Sequence, residues 1–67
     1  MVGGALVAGT FEIFKDNKGE YRFRLKGRNG EIVATGESYP TKAHVKRGIQ
    51  AVQRAAAEAK IEDKSGD

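Results

Sequence analysis

Hydrophobic and polar residues alternate with a period of two in the first half of the chain, which is typical of strands that bury one face. The alternation is clearest over residues 20–26, where aromatic and leucine side chains are separated by basic ones. An earlier segment with the same pattern starts at Thr10, and β-branched residues occupy 32–35. The pattern predicts three strands, whose expected core-facing residues are Phe11, Ile13, Tyr21, Phe23 and Leu25.

Two polar segments separate these strands. Residues 16–19, Asp-Asn-Lys-Gly, combine residues that tolerate positive φ with a glycine that prefers it. The dipeptide Asn29-Gly30 is the one most typical of a type I′ turn. Both segments therefore predict chain reversals, and the three strands should form an antiparallel meander.

An amphipathic helix should follow the strands. Tyr39 precedes proline and so avoids the helical region, whereas Thr41 can cap a helix that begins at about Lys42. At about 100° per residue, the apolar positions after Lys42 fall within an arc of about 120° that can cover the meander. These positions are Val45, Gly48, Ile49, Val52, Ala55, Ala56 and Ala59. The result is a two-layer α+β domain.

Gly48 lies at the edge of the apolar stripe of this helix. A glycine inside a helix costs about 1 kcal/mol relative to alanine. Either the helix tolerates that weakness, or Gly48 admits the close approach of another backbone.

The two ends of the chain differ from its middle. Residues 1–9 are apolar and glycine-rich but lack the basic start of a signal peptide, so they predict a flexible N-terminal extension. Residues 60–63 can extend the helix, or they can form a short strand around Ile61. The polar residues 64–67 form a tail, which leaves 10–63 as a single domain.

The composition limits how stable one chain can be. The 67 residues include no cysteine and no apolar run of about 18 residues, which excludes disulfides, thiolate metal sites and a membrane span. A soluble, cytoplasmic protein is expected. Apart from alanine, only 17 hydrophobic side chains are available. One hydrophobic core in a chain this short contributes about 3–5 kcal/mol of folding stability, so further stabilisation by oligomerisation is expected.

The sequence contains no arrangement of residues that implies catalysis. His44 is the only histidine, and one imidazole cannot form a metal site. Asp16 and Asn17 lack the further oxygen ligands of a calcium loop and are interpreted as turn residues. We therefore predict no catalytic, metal or cofactor-binding residues, and no enzymatic activity.

The net charge of +3 conceals two basic segments. Residues 15–28 hold six basic and two acidic side chains, and residues 42–54 hold four basic and no acidic ones. An antiparallel face that combines an aromatic ring with arginines can stack bases and neutralise phosphates. The residues of this possible binding surface are Phe14, Arg22, Arg24 and Lys26 on the sheet, with Lys46, Arg47 and Arg54 on the helix.

A second interpretation of the basic strand gives it no ligand. Arg22 and Arg24 can pair across strands with glutamates, and Phe14 can pack beneath the arginine stems. The glutamates within reach are Glu12, Glu31 and Glu37.

Several blocks of the sequence resemble one family. They are Phe11–Asp16, Gly19–Lys26, Asn29–Ala34, and Lys42-Ala43 with Gly48–Val52. In order and separation they resemble the YegP-like family of uncharacterised bacterial and archaeal proteins, over about Gly9 to Asp63. One departure is Ala57-Glu58, which stands where family members often carry a Pro-Asp pair.

The resemblance implies a β3-α-β unit that occurs in tandem or as a single copy that dimerises. This chain has one copy, so an intertwined homodimer is expected, in which residues 60–63 are the exchanged strand. Gly48 and Ile61 are its predicted dimer contacts. The family supplies no activity to transfer. We therefore predict a non-catalytic structural or interaction module, with low-specificity nucleic-acid binding as the alternative.

Overall fold

A computed structural model describes residues 9–66 of the chain. The elements are β1 (Gly9–Lys15), β2 (Tyr21–Gly27), β3 (Ile32–Thr35) and α1 (Lys42–Glu58). The strands form one antiparallel sheet in the order β1-β2-β3, and α1 packs on β2. This confirms the predicted α+β class, the three-stranded meander and the helix start at Lys42.

The start of β1 corrects one predicted boundary. The extension predicted for residues 1–9 lies outside the described residues except for Gly9, which pairs with Gly27 as the first residue of β1. The backbones of β1 and β2 approach closely here. A Cβ on Gly9 would lie only 2.6 Å from the carbonyl oxygen of Lys26.

The β1–β2 hairpin turns as the sequence predicts. The backbone N–H of Gly19 donates to the carbonyl oxygen of Asp16 at 3.0 Å, and Gly19 takes a φ of 80°. The carboxylate of Asp16 accepts bonds from the backbone N–H groups of Lys18 and Glu20, each at 2.9 Å. Asp16 is therefore a turn residue whose carboxylate is occupied by backbone donors.

The β2–β3 hairpin has the same geometry, and the type I′ turn predicted for Asn29-Gly30 is wrong. The N–H of Gly30 donates to the carbonyl of Gly27 at 3.0 Å, so Arg28 and Asn29 are the central residues of the turn. Only Gly30 has positive φ, at 85°, whereas a type I′ turn needs it at both central positions. The turn lies one residue earlier than the dipeptide suggests, and a register shift follows between Leu25 and Lys26.

The core lies between β2 and the first half of α1. Phe23, Val45 and Ile49 are buried, and Phe11, Ile13, Tyr21 and Tyr39 pack against them. The ring of Phe23 meets Phe11 edge-on at 5.8 Å and stacks on Tyr39 at 6.5 Å. These aromatic contacts make Phe23 the centre of the core.

Tyr39 is positioned by a short continuation of the sheet. It exchanges two backbone hydrogen bonds with Tyr21, at 2.7 and 2.8 Å, although it lies outside the named strands. Its ring occupies the space beside Gly48, where a Cβ would lie 2.7 Å from Tyr39 Cζ. The close neighbour that Gly48 admits is therefore an aromatic ring of the same chain rather than a backbone.

The caps of α1 follow from its end residues. Thr41 has extended backbone angles, and its hydroxyl oxygen accepts the N–H of His44 at 3.1 Å, as predicted for a cap. The same oxygen lies 2.6 Å from the His44 ring nitrogen Nδ1. At the other end Ala59 is extended, with φ −72° and ψ 139°. Residues 60–63 therefore do not extend the helix, and they form no strand within one chain.

Candidate binding surface on the outer face of the sheet

The sheet has an outer face that α1 does not cover. The β1–β2 register places Glu12 opposite Arg24 and Phe14 opposite Arg22. Because side chains alternate along a strand, these residues point away from the face that carries Phe23. Together with Lys26, they place on one face the four sheet residues that the sequence predicts as a binding surface.

Glu12 forms ion pairs with two of the basic side chains on the outer face of the sheet. Its carboxylate lies 2.8 Å from Arg24 Nε and 3.5 Å from Lys26 Nζ. The guanidinium carbon of Arg24 lies 4.9 Å from the centroid of the Phe14 ring. The cross-strand pairing and the arginine–Phe14 packing of the second interpretation are thus both present at Arg24.

This arrangement perturbs the titration of Glu12. The hydrogen bond from Arg24, reinforced by the charges of Lys26 and Arg24, holds the pKa of the Glu12 carboxyl below its ordinary value. Glu12 is therefore negative at neutral pH and neutralises part of the basic face.

The lowered pKa of Glu12 predicts a pH-dependent contribution to stability. Because the folded pKa lies below the unfolded one, the contribution is complete above about pH 5 and is lost as the pH falls through the folded value. Glu12→Gln should therefore destabilise the protein in urea at neutral pH, and the difference from wild type should shrink below about pH 4. Glu37→Gln, at an exposed carboxylate with no ion pair among the described residues, is the control. A Glu12→Gln deficit that is the same at both pH values would contradict the prediction.

Arg22 behaves differently from Arg24. Its Nη2 donates to the carbonyl oxygen of Gly36 at 3.2 Å, and its buried Nε has no hydrogen-bond partner in the described part of the chain. It reaches the segment after β3 rather than any of the three glutamates that the sequence offers. For Arg22, the predicted cross-strand ion pair does not form.

Arg22 also lines an open depression of about 520 Å³ beside the β1–β2 turn. The sequence did not predict this depression, because one of its lining residues, Ser38, belongs to the irregular segment after β3. Three basic and two acidic side chains are among its lining residues. The lining residues are Phe14, Lys15, Asp16, Asn17, Lys18, Glu20, Arg22 and Ser38.

The predicted surface is divided between two sides of the molecule. Lys46, Arg47 and Arg54 are exposed on α1, whereas Arg22 and Arg24 lie on the sheet face opposite to α1. The structure therefore brings the sheet residues together and the helix residues together, but it does not join the two sets.

The two predicted dimer contacts have different surroundings. Gly48 is half-buried against Tyr39 of its own chain, while Ile61 is 99% exposed. Contacts of these residues with a second chain stay predictions.

Residues 9–66 contain neither a metal-binding cluster nor a membrane-spanning helix. No group of three or more His, Cys, Asp or Glu side chains is placed to hold a metal ion within that range. In the same range, no helix has the length and apolar character needed to cross a membrane.

Comparisons with known proteins place the chain among uncharacterised relatives. A family model described as "Domain of unknown function (DUF1508)" matches residues 16–63. A UPF0339 protein of Treponema denticola is 47% identical over 55 residues, covering 82% of this chain and 95% of the relative. The solution structure of a protein from Haloferax volcanii matches with a TM-score of 0.75 at 39% identity, covering 87% of this chain and 98% of that one.

Some relatives are longer than this chain, and one of them is matched over less than half of its length. It is the "UPF0339 protein in ptx operon 5′region" of Stutzerimonas stutzeri, which is 42% identical over 48 residues. The match covers 72% of this chain but only 43% of the relative.

Proposed function

The chain belongs to the DUF1508 family of domains of unknown function, the UPF0339 or YegP-like proteins, and from this premise we propose that it is a non-catalytic structural or interaction module that works as a homodimer. Its partner is a second copy of the same chain. The proposal includes no cofactor. A cytoplasmic location stays a prediction of the sequence.

The observation that carries the proposal is the exposure of large hydrophobic side chains. Among the described residues, the buried hydrophobic side chains are only those of Phe23, Val45 and Ile49. Four others remain exposed: Ile32 at 54%, Val33 at 60%, Val52 at 38% and Ile61 at 99%. Burying one such side chain contributes about 1.5–3 kcal/mol, which is large beside the stability expected of so small a core.

These side chains lie where a second chain can reach them. Ile32 and Val33 belong to β3, an edge strand with unpaired backbone groups on its outer side in the described chain. Val52 lies in the second half of α1, where residues 51–58 are all exposed, and Ile61 follows in the extended segment. A strand from a second copy would pair with an open edge and cover these apolar surfaces.

The longer relative supports the same conclusion. The chain matches less than half of the Stutzerimonas stutzeri protein, so that relative has room for a second unit of this size. A homodimer would assemble two units from two chains.

The alternative, that nucleic acid binds to the outer face of the sheet, is disfavoured by the contacts that the residues of this face make with one another. Glu12 lies within 3.5 Å of both Arg24 and Lys26, and Arg24 lies over the Phe14 ring that would have to stack on a base. A ligand on this face would have to displace these interactions.

Sedimentation equilibrium of the full chain tests the homodimer. We expect twice the 7.2 kDa mass of one chain. Val52→Asp should weaken association at least about 100-fold, because the charge would be buried at two places in a symmetric interface.

Gln53→Asp is the matched control, since it introduces the same charge at the next residue of α1, on the side away from the apolar stripe. It should leave the mass unchanged. A monomeric wild-type chain at micromolar concentration would refute the homodimer. Equal effects of the two variants on association would show that Val52 does not lie in the interface.

A further inference from the structure

The solvent side of α1 in one chain carries a cluster of basic residues. Lys46, Gln50, Arg54 and Arg47 fall within an arc of about 100° at 100° per residue, opposite the stripe that contains Val45 and Val52. All four side chains are exposed. We refer to them as the basic helix face.

The charge of this face is uncompensated. No acidic residue occurs between Lys42 and Ala57, so the helix offers no carboxylate within the surrounding two turns except Glu58. The ion pairs of the described residues involve Arg24, Lys26 and Lys64, and none includes a cation of α1. Within residues 9–66, the three cations of the basic helix face therefore have no ion-pair partner.

Helix stability does not account for these charges. The macrodipole favours acidic residues in the first turn and basic residues in the last. In α1 the first turn holds no acidic residue and the last turn holds no basic one. Lys42, Lys46 and Arg47 instead place the positive charge in the first half of the helix, where it adds to the positive end of the dipole.

The spacing and chemistry of the face suit a row of phosphates. Lys46 and Arg54 are eight residues apart, which is about 12 Å along the helix axis and the length of several nucleotides in one strand. The four residues include no aromatic side chain that could stack on a base. Binding would therefore be to the backbone and independent of base sequence.

An anionic membrane fits this face less well than a nucleic acid does. A helix that binds a lipid surface inserts apolar residues flanked by its basic ones. Here the one large apolar side chain of α1 that is exposed among the described residues, that of Val52, lies on the side opposite Arg54 and Arg47. We propose that the basic helix face binds the phosphate backbone of nucleic acid through Lys46, Arg47 and Arg54.

Fluorescence anisotropy with a labelled DNA duplex and a labelled single strand tests this proposal. With about three phosphates contacted per chain, the logarithm of the association constant should fall with the logarithm of salt concentration with a slope of about −3. Affinity should then drop about 40-fold between about 50 and 200 mM salt. Changing the base sequence should change the affinity less than about threefold.

Arg47→Glu/Arg54→Glu should reduce the slope by about 2 and weaken binding at least about tenfold at low salt. The matched control is Lys18→Glu/Arg28→Glu, at exposed turn residues on the sheet. Each double substitution lowers the net charge by four, from +3 to −1. Circular dichroism establishes that both variants are folded.

Three outcomes overturn the proposal. The first is no binding at micromolar protein and low salt. The second is an equal loss in both double variants, which would mean that net charge alone attracts the polyanion. The third is binding to phosphatidylserine vesicles without binding to nucleic acid. The control must bind at least about fivefold more tightly than the helix variant for the assignment to stand.

Discussion

Gly36→Ala should remove most of the stability of this domain. A Cβ on Gly36 would overlap the Phe23 ring, whose Cδ2 atom would lie 2.6 Å away. The backbone cannot retreat easily, because the N–H of Gly36 donates to the carbonyl of Phe23 at 2.9 Å and its carbonyl accepts from Arg22. We expect a loss of about 3 kcal/mol, at the upper end for overpacking, in the free energy of unfolding measured with urea.

Gly27→Ala is the matched control for this substitution. A Cβ on Gly27 would make ordinary contacts, the nearest at 3.5 Å to Asn29, so the free energy of unfolding should change by less than about 1 kcal/mol. Phe23→Leu should partly rescue Gly36→Ala, because the smaller side chain gives room to the new methyl group. A Gly36→Ala protein as stable as wild type would show that the ring moves aside without cost.

The effect at Gly36 also shows what the sequence could not predict. The strands, the hairpins and the Thr41 cap depend on neighbouring residues, so local patterns identified them. The need for a glycine at position 36 comes instead from the ring of Phe23, which lies thirteen positions earlier in the sequence. Nothing in the local sequence after β3 distinguishes this glycine from one that only ends a strand.

The candidate site shows the same limit, because local patterns predicted which face its residues lie on but not which residues they contact. Alternation alone placed Arg22 and Arg24 on the outer face of the sheet. The choice of a partner for each arginine needed the register, which sets Glu12 opposite Arg24 and leaves Arg22 beside the segment after β3. The one-residue difference in the β2–β3 turn likewise came from pairing between strands rather than from the Asn29-Gly30 dipeptide.

The apolar stripe of α1 shows a different kind of limit. Its period predicted that the stripe would cover the meander, and Val45 and Ile49 do so. In the second half of the helix, Val52 and the alanines after it are exposed, so that part of the prediction is wrong for one chain. A periodic pattern indicates that a face is buried, but it does not say whether the same chain or another one covers it.

Deleting residues 60–67 should convert the protein into an unstable or monomeric chain. The helix ends at Glu58 and Ala59 is extended, so the chain leaves α1 in a conformation suited to a strand. Ile61 is 99% exposed within one chain, and an exchanged strand would bury it in both copies. At about 1.5–3 kcal/mol for each isoleucine, the loss is comparable to the stability of so small a core. Sedimentation equilibrium and urea unfolding measure the two effects.

A shorter deletion, of residues 64–67, separates the strand from the tail. It removes the polar end of the chain but keeps Ile61, so the shortened protein should still have twice the mass of its own single chain and the stability of the full-length dimer. If the longer deletion also leaves a fully stable dimer, residues 60–63 are not exchanged, and the second copy must instead be held by β3 and the second half of α1. If only the longer deletion dissociates, the extended segment after Ala59 is what joins the two chains, because both variants keep every residue of the helix and the sheet.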